Sequence, residues 1–331
     1  MGQLMLNDRV EASSRDFRKA SLSHGIVQYN LGLYSEDLSK FIDLNRLHGS
    51  KEFIDAELVR QKMISNGFRY STKASVLSLM MTKGGVGKTI VSQFLGLRLA
   101  SYGARVLIID SDPQANLSLS LGYPANQQDE SIDILADVVS GRSSLKESIV
   151  ALHPLLHLLP SCSRNSTLER NLMNKGRVAL YTIGNFLENI KHNYDFILVD
   201  CAPSLNVSNA AIMIASDFII LPLRPNLFGQ FALEQTTTEF KNLKAQFGGN
   251  ARLRVLLNDY KIDSQTKPYL NKILRTDRQL FLNSTIRSSE DIQASINQKI
   301  DFYRLPKSQA RFDFDQLALE TLKDLKSIGE C

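Results

Sequence analysis

An α/β protein, with a mostly parallel sheet carrying helices on both faces, is what the sequence predicts, and three observations predict it. Residues 76–81, 106–109, 196–199, 218–221 and 254–257 are short, largely apolar runs without polar alternation, as strands buried on both faces require. Segments of helical period lie between them; after the first run, Val91, Phe94, Leu95 and Leu99 recur on one face of residues 90–99. The link between that run and that helix is a cluster of glycines and lysines, residues 83–89, at the strand end where open α/β sheets bind ligands.

Length and composition set the frame for these elements. A chain of 331 residues accommodates one large or two unequal domains. With 43% apolar and 22% charged residues it can bury a core without disulfide or metal. Cys162, Cys201 and Cys331 are odd in number and lack CxxC spacing, which fits a reduced compartment. No basic start followed by an apolar block is present, and no uncharged run of about 18 apolar residues occurs. Neither signal peptide nor membrane span is expected, and the expected location is cytoplasmic. The net charge of +5 is mild, but residues 251–311 hold 12 Lys or Arg against 6 Asp or Glu. That excess is compatible with nucleic-acid contact and equally with a solvated helical surface.

The pattern divides near Ser75. Residues 1–34 are polar and aperiodic, so a flexible N-terminal arm is expected. Residues 35–73 read as a small helical region. One helix is expected at about 35–47, with Leu38, Phe41, Ile42 and Leu44 on a face. A second is expected at about 51–65, with Ile54, Leu58 and Ile64, closed by Ser65-Asn66-Gly67. The turn His48-Gly49-Ser50 between them allows a helix-turn-helix that reads DNA, and equally an ordinary helical hairpin. Residues 74–331 form the main domain.

Its chemistry centres on Lys83-Gly84-Gly85-Val86-Gly87-Lys88-Thr89. Binding a phosphate requires backbone N–H groups to converge on an anion without Cβ atoms in the way, and the helix that follows adds the positive end of its dipole. In such a loop Lys88 reaches the β- and γ-phosphates and the Thr89 hydroxyl ligates Mg2+. The usual G-x-x-x-x-G-K-[ST] loop has glycine where this chain has Thr82, and here a second lysine, Lys83, opens the loop. That arrangement resembles the deviant Walker A motif of the ParA/MinD family of P-loop ATPases, with ParA-type partition ATPases carrying an N-terminal extension as the nearest pattern.

The resemblance implies a P-loop NTPase fold, ATP and Mg2+ as cofactors, and slow, partner-stimulated hydrolysis to ADP and phosphate. It implies that Lys83 crosses a dimer interface to the partner's nucleotide. Asp110-Ser111-Asp112-Pro113-Gln114-Ala115-Asn116 is similar to the family's D-x-D-P-Q-x-N segment. By that likeness Asp112 activates the attacking water and Asp110 helps organise magnesium. Residues 194–204 resemble the family's Walker B and switch, with Asp200 on the metal. Ile90 stands where a second threonine is common, keeping its amide for the α-phosphate, and Cys201 and Ala202 replace the commoner threonine and proline. No N-K-x-D guanine signature occurs, and Asn258, after the fifth run, is an expected adenine contact or an ordinary strand-end asparagine.

Three uses of such a switch are distinguishable. In the first, DNA partition, an ATP-bound homodimer binds DNA nonspecifically, is released by a ParB-like centromere-binding protein, and also regulates its own operator. Ile286-Arg287-Ser288-Ser289-Glu290 resembles the V-R-L-S-E segment of partition ATPases, which places Arg287 on DNA, and Pro306-Lys307-Ser308 resembles their later P-K-S. Lys307 is then a second contact, and Arg311 the stand-in for an arginine that Gln309 replaces. The alternative, a MinD-like membrane-associated positioning ATPase, requires a basic amphipathic C-terminal helix. Residues 312–331 carry five acids against two lysines, so they are expected to pack on the fold and no membrane contact is expected. Electron transfer through a shared iron–sulfur cluster requires paired cysteines at the switch, and Cys201 and Cys162 do not form that set. His153 and His157 are four apart but separated by Pro154, so zinc is not expected.

Overall fold

The computed structural model describes residues 31–34, 53–123, 132–261, 266–276, 278–298 and 308–324. Their main sheet has the strands β3 (Ser75–Leu79), β4 (Val106–Asp110), β5 (Val150–His153), β6 (Leu156–Leu159), β7 (Phe196–Asp200), β8 (Phe218–Leu223), β9 (Arg252–Tyr260) and β10 (Phe281–Arg287). They lie in the order β10-β9-β8-β3-β7-β4-β6-β5, and each neighbouring pair is parallel except β5 on β6. A separate two-stranded antiparallel sheet joins β1 (Gly32–Tyr34) to β2 (Phe53–Asp55). The helices used below are α1 (Ala56–Ser65), α2 (Lys88–Ser101), α3 (Thr167–Met173), α4 (Ala179–Glu188), α5 (Val207–Ala215), α6 (Leu227–Phe247), α7 (Glu290–Gln298) and α8 (Gln309–Asp324).

Every residue of β3, β4 and β7 is buried. Their uniform Val, Ile and Leu content follows from helices covering both faces of the sheet. β3 lies between β7 and β8, while its successor in the chain, β4, lies beyond β7. The chain thus reverses direction across the sheet at β3, and a crevice opens at the carboxyl ends of its strands. α2 leaves that point with Val91, Phe94, Leu95 and Leu99 all buried. Its far side is closed by α8, through the Phe94–Phe314 edge contact and a buried Arg98–Asp315 ion pair.

α8 packs on the fold, and its acids serve as anchors. Asp313 holds Arg287, and the Glu320 carboxylate accepts from the Asn283 and Ser284 amides at 2.7 Å each. Its apolar face of Phe314, Leu317, Ala318 and Leu322 is buried. No helix among the described residues is long and apolar enough to cross a membrane.

The N-terminal region departs from expectation at two places. Residues 53–55 form a strand paired with residues 32–34, so the helix expected from residue 51 begins at Ala56, and the segment expected to be an arm ends in a buried strand with Leu31 and Leu33 in the core. The buried face of α1 is Ala56, Val59 and Met63, whereas Leu58 and Ile64 face solvent. Long-range pairing of β2 sets the rotation of the helix that follows, overriding the Ile54–Leu58–Ile64 period. Arg60 of α1 bonds the buried Asp195 carboxylate at 2.7 Å, which also binds Arg105, and stacks on Tyr70 at 4.0 Å. Residues 53–73 therefore share one core with the sheet. The first expected helix, 35–47, lies outside the described residues.

His157 on β6 bonds the Tyr194 hydroxyl at 2.8 Å through Nδ1, and burial, with His153 adding to it, pulls its imidazole down to about 4. A histidine depressed in the folded state stays neutral while the unfolded chain takes up a proton. Stability is therefore expected to be full above pH 6.5 and to fall, by at most about 3 kcal/mol, as the pH drops from 6.5 to 4. Denaturant midpoints across that range check it: His157→Gln flattens the profile, and an unchanged slope in that variant refutes the assignment.

Candidate nucleotide site

The glycine loop follows β3 and runs into α2 with Gly87 as the N-cap, at φ +91°. A Cβ there would meet the Asn258 Nδ2 at 2.3 Å, so both the left-handed backbone and the close neighbour demand glycine. No side chain caps the first turn of α2, which leaves its amides directed at an incoming anion. Asn258, at the end of β9, donates from Nδ2 to the Val86 carbonyl at 2.7 Å. It buttresses the loop while lining the same cleft.

That cleft, of about 730 Å³, is bounded by Gly84, Gly85, Gly87, Lys88, Thr89 and Ile90 on one side and by Asp112 on another. Its volume is in the range of small-ligand sites. The Lys88 ammonium is buried within the loop, 3.5 Å from the Met81 and Lys83 carbonyl oxygens. Burial lowers its pKa and the Asp200 carboxylate opposes that fall.

Thr89 Oγ1 donates to Asp200 Oδ2 at 2.7 Å, and Ser92 Oγ to Asp200 Oδ1 at 3.2 Å. Asp200 ends β7 and lies in register beside Asp110, which ends β4. Burial, with Asp110 adjoining, pushes Asp200 up to about 8, and burial pushes Asp110 up to about 7. Two fully buried neighbouring carboxylates are a costly arrangement that a divalent cation relieves. The hydroxyl of Thr89 and the carboxylate of Asp200 are the hard oxygen donors Mg2+ takes, so the residues present fit that ion. Asp110 is held differently from Asp200. Its Oδ2 accepts from the Ser118 amide and hydroxyl at 2.9 and 2.7 Å, and its Oδ1 from the Asp112 amide at 3.1 Å. Both oxygens are engaged in shaping the loop that carries Asp112, because the chain folds back onto them through residues 116–120.

Asp112 lies on the cleft wall opposite the glycine loop, its Oδ1 accepting from the Gln114 amide at 2.9 Å. Lys83 is not among the residues lining this cleft; its ammonium rests 4.8 Å from the centre of the exposed Phe228 ring. The far wall, from the ends of β9 and β10 and from α7, adds Asp259, Ile286, Ser289, Ile292 and Gln293, with Arg224 paired to Asp259 at 2.5 Å. Ile286 and Ser289 fall in the segment read from the sequence as a DNA contact, and no motif marks Asp259, Ile292 or Gln293 as site residues. A usable signal is the position of Asp259 and Ile286 just before strand ends.

Of the three residues expected on DNA, two are described, Arg287 and Arg311. Arg287 ends β10 with its guanidinium clasped by Asp313, Nε to Oδ2 at 3.0 Å. Arg311 is buried on α8, which removes it as a contact in this conformation, because the helix turns that position toward the core. Lys307 lies outside the described residues. Cys162 and Cys201 are both buried.

Glycine loop, strand-end carboxylates and sheet order together define a P-loop protein that binds a nucleoside triphosphate. Residues 74–255 match the family described as AAA domain. An uncharacterised protein of Methanocaldococcus jannaschii is 34% identical over 211 residues, 63% of this chain and 81% of that protein. The chromosome partitioning protein ParA of Caulobacter vibrioides is 35% identical over 183 residues, 54% of this chain and 66% of ParA. The chain thus spans just under two thirds of that relative. Among solved structures, a McdA–ATP complex from Cyanothece shares the fold, with a TM-score of 0.69 at 21% identity over 78% of this chain and 100% of that one. The chain belongs to the ParA/MinD family of P-loop ATPases.

Proposed function

We propose that this chain is a ParA-like partition ATPase that binds ATP with Mg2+, dimerises around it, and holds DNA until hydrolysis releases it. The observation that carries the reading is the Thr89–Asp200 contact beneath the glycine loop, with Asp112 facing it across the cleft. The loop amides and the first turn of α2 hold the phosphates, and Lys88 neutralises the β–γ pair. Mg2+, when bound, supplies charge neutralisation between those phosphates. Thr89 and Asp200 are the residues that hold it. Asp112 orients the attacking water and accepts its proton. Ile90 would offer its amide to the α-phosphate, and Asn258 would be the adenine contact.

Lys83 supports dimerisation. Its ammonium rests on the exposed Phe228 ring, and Leu227 and Phe231 of the same helix are exposed too, apolar groups of the kind that a second copy covers. Lys83 would then reach the partner's triphosphate. The basic excess of residues 251–311 supports DNA binding through phosphate neutralisation, and likeness to Caulobacter ParA supports partition as its use. Release by a ParB-like protein and a nucleoid-associated, cytoplasmic location follow from the same likeness. Residues 35–73 would add operator contact. The acids of α8 turn inward to Arg98, Arg287 and β10, which disfavours the MinD-like membrane alternative.

The test is an electrophoretic shift of random-sequence duplex with the full chain, because residues 53–73 share the core. A shift is expected with ATP, and a much weaker one with ADP or no nucleotide. Binding indifferent to nucleotide, or no binding at all, overturns the DNA reading.

A further inference from the structure

One carboxylate outside the nucleotide cleft binds the start of the helix that follows the switch segment. Glu169, on α3, accepts through Oε1 from the Val207 amide and through Oε2 from the Ser208 amide, each at 3.0 Å. These are the first two amides of α5, which follows the segment from Asp200 to Asn206. The third, of Asn209, is taken by the N-cap Asn206 at 3.0 Å. Asn209 in turn donates from Nδ2 to the Ala202 and Ser204 carbonyls at 2.9 and 2.6 Å. The backbone that leaves Asp200 is thus closed into a ring, which Glu169 joins from a different part of the chain.

The other end of Glu169's own segment reaches the Asp112 loop. Ser161 donates from Oγ to the Asp112 carbonyl at 2.7 Å and from its amide to Ser118 Oγ at 2.9 Å. Ser118 is the residue that binds Asp110. Asn165 donates from Nδ2 to the Ser111 carbonyl at 3.1 Å and accepts the Ala136 amide at 3.1 Å. Residues 161–169 are therefore a hydrogen-bonded strut between the loop carrying Asp112 and the segment that follows Asp200.

We infer that Glu169 is a positioning residue for hydrolysis: through this strut it holds the backbone after Asp200 in register with Asp112. The inference rests on the ATPase reading above. Hydrolysis depends on the separation of a water-orienting carboxylate from the metal-binding carboxylate, and small displacements of such groups are costly. A carboxylate bonding two amides at a helix start is charge-assisted and favoured by the helix dipole. The strut therefore fixes both ends without touching nucleotide. Glu169 is partly exposed, so water can satisfy the freed amides and Glu169→Ala is expected to fold.

The experiment compares wild type, Glu169→Gln and Glu169→Ala as full chains. At saturating ATP the turnover rate is expected to fall in that order, by roughly 10- to 100-fold for Glu169→Ala, with KM within a few-fold of wild type. The glutamine, keeping one acceptor, recovers part of the rate. Amide hydrogen exchange in Glu169→Ala is expected to speed up both at residues 202–208 and at residues 111–113. A purely local helix cap would instead loosen residues 207–208 alone and leave turnover unchanged, and that result overturns the inference. If wild type hydrolyses no faster than Lys88→Gln, the ATPase reading itself is lost, and the exchange pattern still decides whether the strut couples the two loops.

Discussion

Asp112→Ala is expected to bind ATP within a few-fold of wild type and to lose hydrolysis by about 10²–10⁴-fold. The argument is one of placement. Asp112 lines the cleft but belongs neither to the loop that cradles phosphate nor to the Thr89–Asp200 pair, so removing its carboxylate leaves the anion's donors in place. Its backbone stays anchored, since the amide donates to Asp110 and the carbonyl accepts from Ser161. The lost bond, from the Gln114 amide to Oδ1, is replaceable by water at an exposed turn. Single-turnover phosphate release beside fluorescent-nucleotide titration checks it. Normal hydrolysis by the variant would remove Asp112 from the reaction.

Lys88→Gln is the second large effect, and it acts on binding. The ammonium is buried beneath the loop, and its contacts with the Met81 and Lys83 carbonyls, at 3.5 Å, are long. Such contacts hold the side chain in place without committing its charge. An incoming triphosphate takes up that charge in charge-assisted bonds, each of about 1.5–3 kcal/mol, so about 10- to 150-fold in affinity is lost for one bond. Glutamine keeps an amide donor and most of the length, and burying an uncharged group there is less costly than burying the ammonium. The variant is therefore expected to be at least as thermally stable as wild type, but at a given concentration of Mg-ATP its melting temperature should rise less. Calorimetric titration reads the affinity directly; a constant equal to that of wild type would show that Lys88 does not bear on the phosphates.

Much of the site is legible in the sequence because its parts are local. Residues 83–89 are contiguous, and a backbone that must admit an anion leaves little choice but glycine. Asp112 and Asp200 are legible because each stands just past the end of an apolar run. Less legible were the parts that depend on what lies across the fold. Asp110 and Asp112 occur in one motif, yet the return of Ser118 onto Asp110 separates a loop-shaping carboxylate from one facing the cleft. Arg311 reads as a basic surface residue, and the packing of α8 buries it. Residues 281–287 escape the search for apolar runs because β10 is an edge strand whose burial alternates. The antiparallel partner strand of residues 32–34 turned what reads as the start of a helix into β2.

Composition and short motifs were enough to establish a parallel α/β sheet with a phosphate-binding turn at its centre. Both depend on interactions within a few residues or on a burial pattern repeated along each strand. Which carboxylate faces the cleft, which arginine stays at the surface, and how residues 161–169 span the two loops were decided by tertiary structure. Those outcomes turn on hydrogen bonds between residues 26 to 108 positions apart, whose geometry no local period encodes.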